Sequence, residues 1–315
     1  MPSLTDPSRR RFLQHSSMSA SLLLTGWERQ EPEGKSDWQP GPICLFSKHL
    51  PMLGWEALGE AVGEAGFDGV DLTVRPGGHV LPARAVEELP LAHAAIRRQG
   101  LALPMITTNL TRADEPHASS LLRTAGQLAI PFFKPGYYPD QDVDPVGETR
   151  RAMDSFAKLA ALGASHRIVA GFHNHTGSLG SVLSEIDPAM RRIPPAHAGY
   201  YFDIRHAVCE GGGNGWRLAF HHAASRLRMI AIKDFFWART ESGWKPVDTP
   251  LGGGMVNWPL YFRKLCQVNF RGPVSLHLEY PLEGRTSTER RREVLLAAQR
   301  DLTFVRRLIE ESRQS

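Results

Sequence analysis

Four segments of the 315-residue chain place ionisable side chains behind apolar runs. They are Gly171-Phe172-His173-Asn174-His175, Tyr201-Phe202-Asp203-Ile204-Arg205-His206, Met229-Ile230-Ala231-Ile232-Lys233-Asp234 and Ser275-Leu276-His277-Leu278-Glu279-Tyr280. In an extended strand, residues i and i+2 share a face. His173 therefore pairs with His175, Ala231 with Lys233, and His277 with Glu279. Asp203 follows aromatic residues, and a carboxylate there must be paired, solvated or metal-bound; an ion pair with Arg205 or a helix cap would also satisfy it. A Glu beside a His on an inward face is costly unless it holds a cation or is hydrogen-bonded, which marks Glu279. Asp234 faces away from Lys233 and reads as a loop-capping carboxylate. Arg75 and His79 fall on a loop that could hold substrate hydroxyls or a carboxylate. His, Asp and Glu without Cys is the donor set of Mn²⁺, Co²⁺, Mg²⁺ or Zn²⁺.

These segments must be held by something repetitive. Pro42 to Phe46 is a strand-like run, and Trp55, Leu58, Val62 and Ala65 then trace one helical face, ended by Gly66. Strand-like runs recur at 67–72, 101–107, 130–133, 167–173, 200–204, 228–233 and 274–280, with amphipathic stretches between them. A helix holding Trp216, Leu218 and Phe220 is one such stretch, and the last carries Leu295, Ala298, Leu302, Val305 and Ile309. About eight strand–helix units predict a single (β/α)₈ barrel over residues 41–315, with its site at the C-terminal mouth. The turn after the first strand, Phe46 to Pro51, has no glycine pattern, which argues against a dinucleotide-binding open sheet. Gly211-Gly212-Gly213 and Gly252-Gly253-Gly254 read as loops.

Composition is that of an ordinary globular domain: 42% apolar, 22% charged and a net charge of +4. The basic excess is scattered and makes no nucleic-acid patch. Cys44, Cys209 and Cys266 are too scattered for a disulfide framework. No stretch approaches the roughly 18 apolar residues of a spanning helix. Residues 1–40 read as a signal and linker: Ser8-Arg9-Arg10-Arg11-Phe12-Leu13 before a modest apolar stretch, Met18 to Gly26, resembles a twin-arginine export signal. The expected location is the periplasm or beyond.

Six segments carry a family resemblance: GFDGVDLTVRPGGHV (66–80), GFHNHTG (171–177), FDIRHA (202–207), AIKDFFW (231–237), PLGGGMVNW (250–258) and PVSLHLEY (273–280). Over about residues 41–312 the chain resembles the xylose isomerase-like barrels, a superfamily of sugar phosphate isomerases and epimerases that also contains the AP endonuclease family 2 enzymes. The resemblance implies a divalent metal held by Glu, Asp, His and Glu from strands five to eight. Asp203 and Glu279 match. His173 stands at the strand-five position and Ala231 at the strand-seven one. Gly253 replaces a usual Glu, and Asn257 a common Asp. The implied metal donors are thus His173, Asp203 and Glu279, with His277 or His175 as a replacement. His206 matches a histidine that touches substrate, and Arg75, His79, His175 and Trp237 join it as expected substrate-binding residues.

The family's chemistry is proton removal beside a carbonyl through an enediolate. It implies Glu279 and His173 as proton-transfer groups and Lys233 as an electrostatic stabiliser. The expected activity is a metal-assisted sugar isomerase or epimerase. A β-eliminating lyase or hydrolase on an oxidised glycoside, or a non-catalytic carbohydrate-binding barrel, are the alternatives. A DNA repair nuclease fits poorly, because no basic stripe interleaved with aromatic residues is present. The expected partner is a small sugar or sugar derivative, with no nucleic acid and no membrane span; homo-oligomerisation stays open.

Overall fold

A computed structural model describes residues 36–314 apart from 142; the segment read above as an export signal lies outside the described residues. Eight parallel strands close into a barrel. They are β1 (Ile43–Phe46), β2 (Gly69–Thr73), β3 (Ala102–Thr107), β4 (Phe132–Lys134), β5 (Val169–His173), β6 (Ala198–Asp203), β7 (Leu227–Ile232) and β10 (Val274–Leu276), in the order β1-β10-β7-β6-β5-β4-β3-β2. Each strand reads as a run of buried residues because helices cover the outside and side chains fill the inside. The helices are α1 (Trp55–Glu64), α2 (Ala85–Arg98), α3 (Ala118–Gln127), α4 (Pro145–Ser165), α5 (Asp187–Met190), α6 (Ile204–Ala224), α7 (Trp258–Gln267) and α8 (Ser287–Arg313). The apolar sequence periodicity turns inward: Leu58 and Val62 of α1, and Leu302, Val305 and Ile309 of α8, are buried. Inside the barrel, Met105, Tyr201, Met229 and Ala231 pack as a separate small cluster. Thus Ala231 is a packing residue directly beneath the mouth.

Four details depart from the sequence reading. First, β10 stops at Leu276. His277 still donates its backbone N–H to Ile232, but Leu278, Glu279 and Tyr280 leave the ladder. Second, an antiparallel hairpin, β8 (Asp234–Thr240) and β9 (Gly243–Thr249), rises between β7 and α7. Its turn uses Gly243 at φ 104°, a conformation that favours glycine. Third, Gly211-Gly212-Gly213 lies within α6, where Gly212 at φ 58°, ψ −153° breaks the helix into two segments. Fourth, Leu218 of α6 is exposed, while Trp216 and Phe220 are buried.

The packed domain also begins before residue 41. Trp38 is 1% exposed, and its indole donates to the Phe270 carbonyl at 2.8 Å. Ser36 N–H donates to Arg313 O, so this segment is fastened to the end of α8. Trp38→Ala is expected to cost about 3–5 kcal/mol, as for other buried Trp truncations. Urea unfolding of the two proteins measures it, and a loss below about 1 kcal/mol would make the segment a loose linker.

Candidate functional site

The centre of the mouth is Asp203, the last residue of β6 and the N-cap of α6. Its Oδ1 accepts the backbone N–H of His206 at 3.1 Å. This explains the D-x-x-H spacing: the capped turn folds the third residue back, leaving His206 Nε2 3.7 Å from Asp203 Oδ2. The same Oδ2 lies 3.1 Å from His173 Nε2 and 3.2 Å from Lys233 Nζ. Asp203 is fully buried. Burial alone would raise its pKa, but Lys233, His206 and His173 outweigh that and hold it well below the usual carboxylate range. The partner of Asp203 is therefore Lys233 and not Arg205, whose Nε donates to Asp248 on β9 at 2.9 Å. That bond pins the hairpin to the start of α6. Asn174 locks the arrangement from below. Its side chain donates to Asp203 O at 2.9 Å and accepts from Asp203 N at 2.8 Å, clasping the ends of β5 and β6.

The tautomers follow from the partners. Ionised Asp203 only accepts, so His173 carries its proton on Nε2, and Nδ1 accepts the Tyr137 hydroxyl at 3.2 Å. Both nitrogens of His173 are thus committed. His206 Nδ1 accepts the Thr176 N–H at 3.2 Å, which leaves an Nε2–H without a hydrogen-bond partner. His175 Nδ1 donates to the Thr176 carbonyl at 2.8 Å, so its Nε2 lone pair is free. Burial lowers the pKa of His173 to about 3 and of His175 to about 4, and takes His206 well below its ordinary value. All three are neutral near pH 7.

A cavity of about 370 Å³ opens above these groups. His173, His175, His206, Lys233, Arg75, His277 and Glu279 reach it, as the sequence suggested. Glu279 accepts from Lys48 Nζ at 2.8 Å, and His277 Nδ1 lies 3.6 Å from its Oε1. Burial would raise the Glu279 pKa; His277, Lys233 and Lys48 together drive it far below the usual range, so it is an anion. Two expected substrate-binding residues are elsewhere. His79 is absorbed in its own loop, with Nδ1 on Thr73 Oγ1 at 3.1 Å and Nε2 on the Leu50 carbonyl at 3.2 Å. Trp237 stands on the hairpin outside the cavity, opposite Pro246 in the β8–β9 register. Asp234 caps the Gly252–Gly254 turn, accepting from the N–H groups of both glycines and from the Trp258 indole.

Sequence reasoning passed over Lys48, Lys134, Tyr137, Asn174 and Asp248. Lys134 ends β4 at 2% exposure, with Nζ 3.3 Å from the Tyr137 ring centroid. Its one signal was a lysine closing an apolar strand, the pattern that did mark Lys233.

The expected metal donors do not fit a resident ion. Among the described residues, no three His, Cys, Asp or Glu side chains gather as a metal site. An ammonium already sits 3.2 Å from the Asp203 oxygen that would bind a cation, and a second ammonium holds Glu279. His277 turns its Nε2 to Ser275 Oγ and Tyr201 OH, at 3.1 and 3.2 Å. Ala231 offers no donor. Lysine charge therefore stands where the family resemblance implied a divalent ion.

These histidines set the acid limit of the fold. His49, whose Nε2 accepts the Leu278 N–H at 3.0 Å, is also lowered to about 3 by burial. Each buried neutral histidine takes up a proton on unfolding below pH about 6.5, so the unfolded chain binds more protons there. Folded pKa values below the unfolded one mean stability is complete above pH 6.5 and falls as pH drops toward 4. Thermal melts across pH 4–8 are expected to show this fall beginning above pH 5, and His49→Gln to reduce its slope; a flat Tm down to pH 4.5 would contradict it.

Comparisons with known proteins agree with this fold. A family model described as xylose isomerase-like TIM barrel matches residues 60–302. No curated protein matches. Among solved structures, D-psicose 3-epimerase from Clostridium cellulolyticum H10, with D-tagatose, is similar at a TM-score of 0.65 and 13% identity, over 85% of this chain and 99% of that one. The 3-keto-D-glucoside 4-epimerase of E. coli has a TM-score of 0.63 at 14% identity, over 85% and 99%. A xylose isomerase-like TIM barrel protein from Mycobacterium smegmatis, in complex with magnesium, has a TM-score of 0.61 at 14% identity, over 84% and 98%. The fold is thus one shared with sugar epimerases. The matched segment spans most of the barrel and includes the Asp203 cap, Lys233 and Glu279, and the chain belongs to the xylose isomerase-like TIM barrel family.

Proposed function

We propose that this protein is a sugar isomerase or epimerase that moves a proton beside a carbonyl carbon through an enediolate. The observation that carries the reading is an anionic carboxylate and a free imidazole lone pair in one cavity, Glu279 after β10 and His175 after β5. These strands are three places apart in the barrel, and Lys233 follows β7, which lies between them. Glu279 takes the carbon-bound proton. His175 Nε2 takes the neighbouring hydroxyl proton. The Lys233 ammonium donates to the oxygen on which negative charge develops, a preorganised role of the oxyanion-hole kind. For an isomer, Glu279 returns its proton to the neighbouring carbon and His175 passes the hydroxyl proton to the former carbonyl oxygen. For an epimer, the protonated His175 delivers its proton to the opposite face of the original carbon, and the proton held by Glu279 returns to the deprotonated oxygen. His173 here orients Asp203 and Tyr137 and does not exchange the proton itself.

One observation favours a second reading, β-elimination from a keto-glycoside. Trp237, Trp244 and Pro246 share the hairpin face that carries Asp248 over the cavity, and Trp244 is 65% exposed. Such a face suits an aglycone or second ring lying outside the pocket. The same reading takes residues 8–26 as a twin-arginine-type signal and the protein as periplasmic; that segment lies outside the described residues.

Incubation in D₂O with free aldoses, ketoses and keto-glycosides tests this, read by mass and NMR. Deuterium is expected at the carbon beside the carbonyl, with aglycone release marking elimination. The exchange is expected to survive chelation of divalent metals. Glu279→Gln and His175→Gln are each expected to slow exchange by about 100-fold or more with unchanged melting. Wild-type exchange in Glu279→Gln would remove that carboxylate from the mechanism.

A further inference from the structure

The cavity holds more positive charge than its carboxylates balance. Five cations line it: Lys48, Arg75, Lys134, Arg205 and Lys233. Three are paired, with Glu279, Asp248 and Asp203 respectively. Arg75 and Lys134 are not. Arg75 lies over the Phe46 ring at 5.7 Å, and Lys134 over Tyr137 at 3.3 Å, and neither has a carboxylate or hydrogen-bond partner among the described residues. Asp71, the remaining buried carboxylate nearby, is already occupied: Thr107 donates to Oδ1 at 2.8 Å, and Ser275 and Tyr201 to Oδ2 at 2.7 and 3.3 Å.

An unpaired lysine that is 98% buried is costly to keep. A cation at the end of a barrel strand, reaching the cavity with no carboxylate in ion-pair contact, offers a place for an anion. Arg75 and Lys134 come from adjacent parts of the mouth, since β2 and β4 flank β3. Burial lowers the Lys134 pKa well below its ordinary value; repulsion from Arg75 and Lys233 adds to this and attraction to Asp71 opposes it. An anion in the cavity beside both side chains would offset the repulsion. The guanidinium offers a fork and the ammonium a point charge, a combination that matches a carboxylate or phosphoryl oxyanion and not a neutral hydroxyl.

We propose that Arg75 and Lys134 form an oxyanion seat, so that the substrate is an acidic sugar, carrying a carboxylate or a phosphoryl group away from its reacting carbons. This deepens the isomerase reading and rests on it for the word substrate, but the seat itself is a binding site and is tested without turnover.

The test is calorimetric titration of the full-length protein with D-glucuronate, D-glucose 6-phosphate and D-glucose at fixed ionic strength. One or both charged sugars are expected to bind at least about tenfold more tightly than D-glucose, a difference of about 1.4 kcal/mol. The tighter of the two identifies the oxyanion. Lys134→Met and Arg75→Met are each expected to remove that preference while the ligand-free protein still melts cooperatively, and Lys134→Arg to retain part of it. Equal binding of charged and neutral sugars, no binding of any of the three, or an unchanged preference in both Met variants would overturn the seat. Loss of deuterium exchange with binding intact would instead count against the proton-transfer reading alone.

Discussion

One carboxylate oxygen, Asp203 Oδ2, organises the mouth of this barrel. It sits within 3.2 Å of both an imidazole N–H and an ammonium, in a place where water cannot share the load. A buried charge pair gains little net stability when its desolvation is counted, but breaking one side of it is expensive. That asymmetry ties the ends of three strands together. β5 supplies His173 and leads into Asn174, β6 supplies Asp203, and β7 leads into Lys233. Because Asp203 also caps α6, the site and the helix start are one structure.

The rest of the mouth is arranged by lesser forces around that fixed point. The Glu279–Lys48 pair is partly exposed, where ion pairs contribute only about 0–1 kcal/mol, so a ligand can compete for either partner. Arg205 binds the β8–β9 hairpin to the same helix start, and the aromatic face of that hairpin extends the mouth beyond the cavity. The functional consequence is a site with one rigid hub and adjustable walls. Positive charge there comes from lysine and arginine. A lysine placed as Lys233 is can hold a developing oxyanion in the role that a Lewis-acidic ion serves elsewhere.

Much of this was legible in the sequence. Eight apolar runs with helical stretches between them specify the barrel, since parallel strands buried on both faces need apolar residues throughout. Asp203, Lys233, His173, His206 and Glu279 were marked by ending such runs. Other features were hidden for physical reasons. The hairpin was missed because alternation over seven residues, as in Asp234–Thr240, differs little from loop sequence when half its face is solvent-exposed. His79 was misassigned because a loop histidine looks the same whether it faces a ligand or its own backbone. Arg205, two residues along, was the ion-pair partner the sequence offered for Asp203, but it turns to Asp248, and Lys233 at the end of the next strand takes that place. Lys134 escaped notice because its strand is three residues long, too short to display a period. The family resemblance carried a metal with it, and the individual residues, Ala231 and Lys233 above all, are what argue otherwise.

The central claim is that Lys233, and no bound ion, balances Asp203. A double-mutant cycle with Asp203→Asn, Lys233→Met and the pair together, read by urea unfolding in metal-free buffer, tests it most directly. Each single change leaves a buried group uncompensated and is expected to cost about 3–5 kcal/mol, while the double change costs less than their sum by about 1.5 kcal/mol or more. Additive costs, or a single Lys233→Met variant as stable as the native protein, would contradict the account.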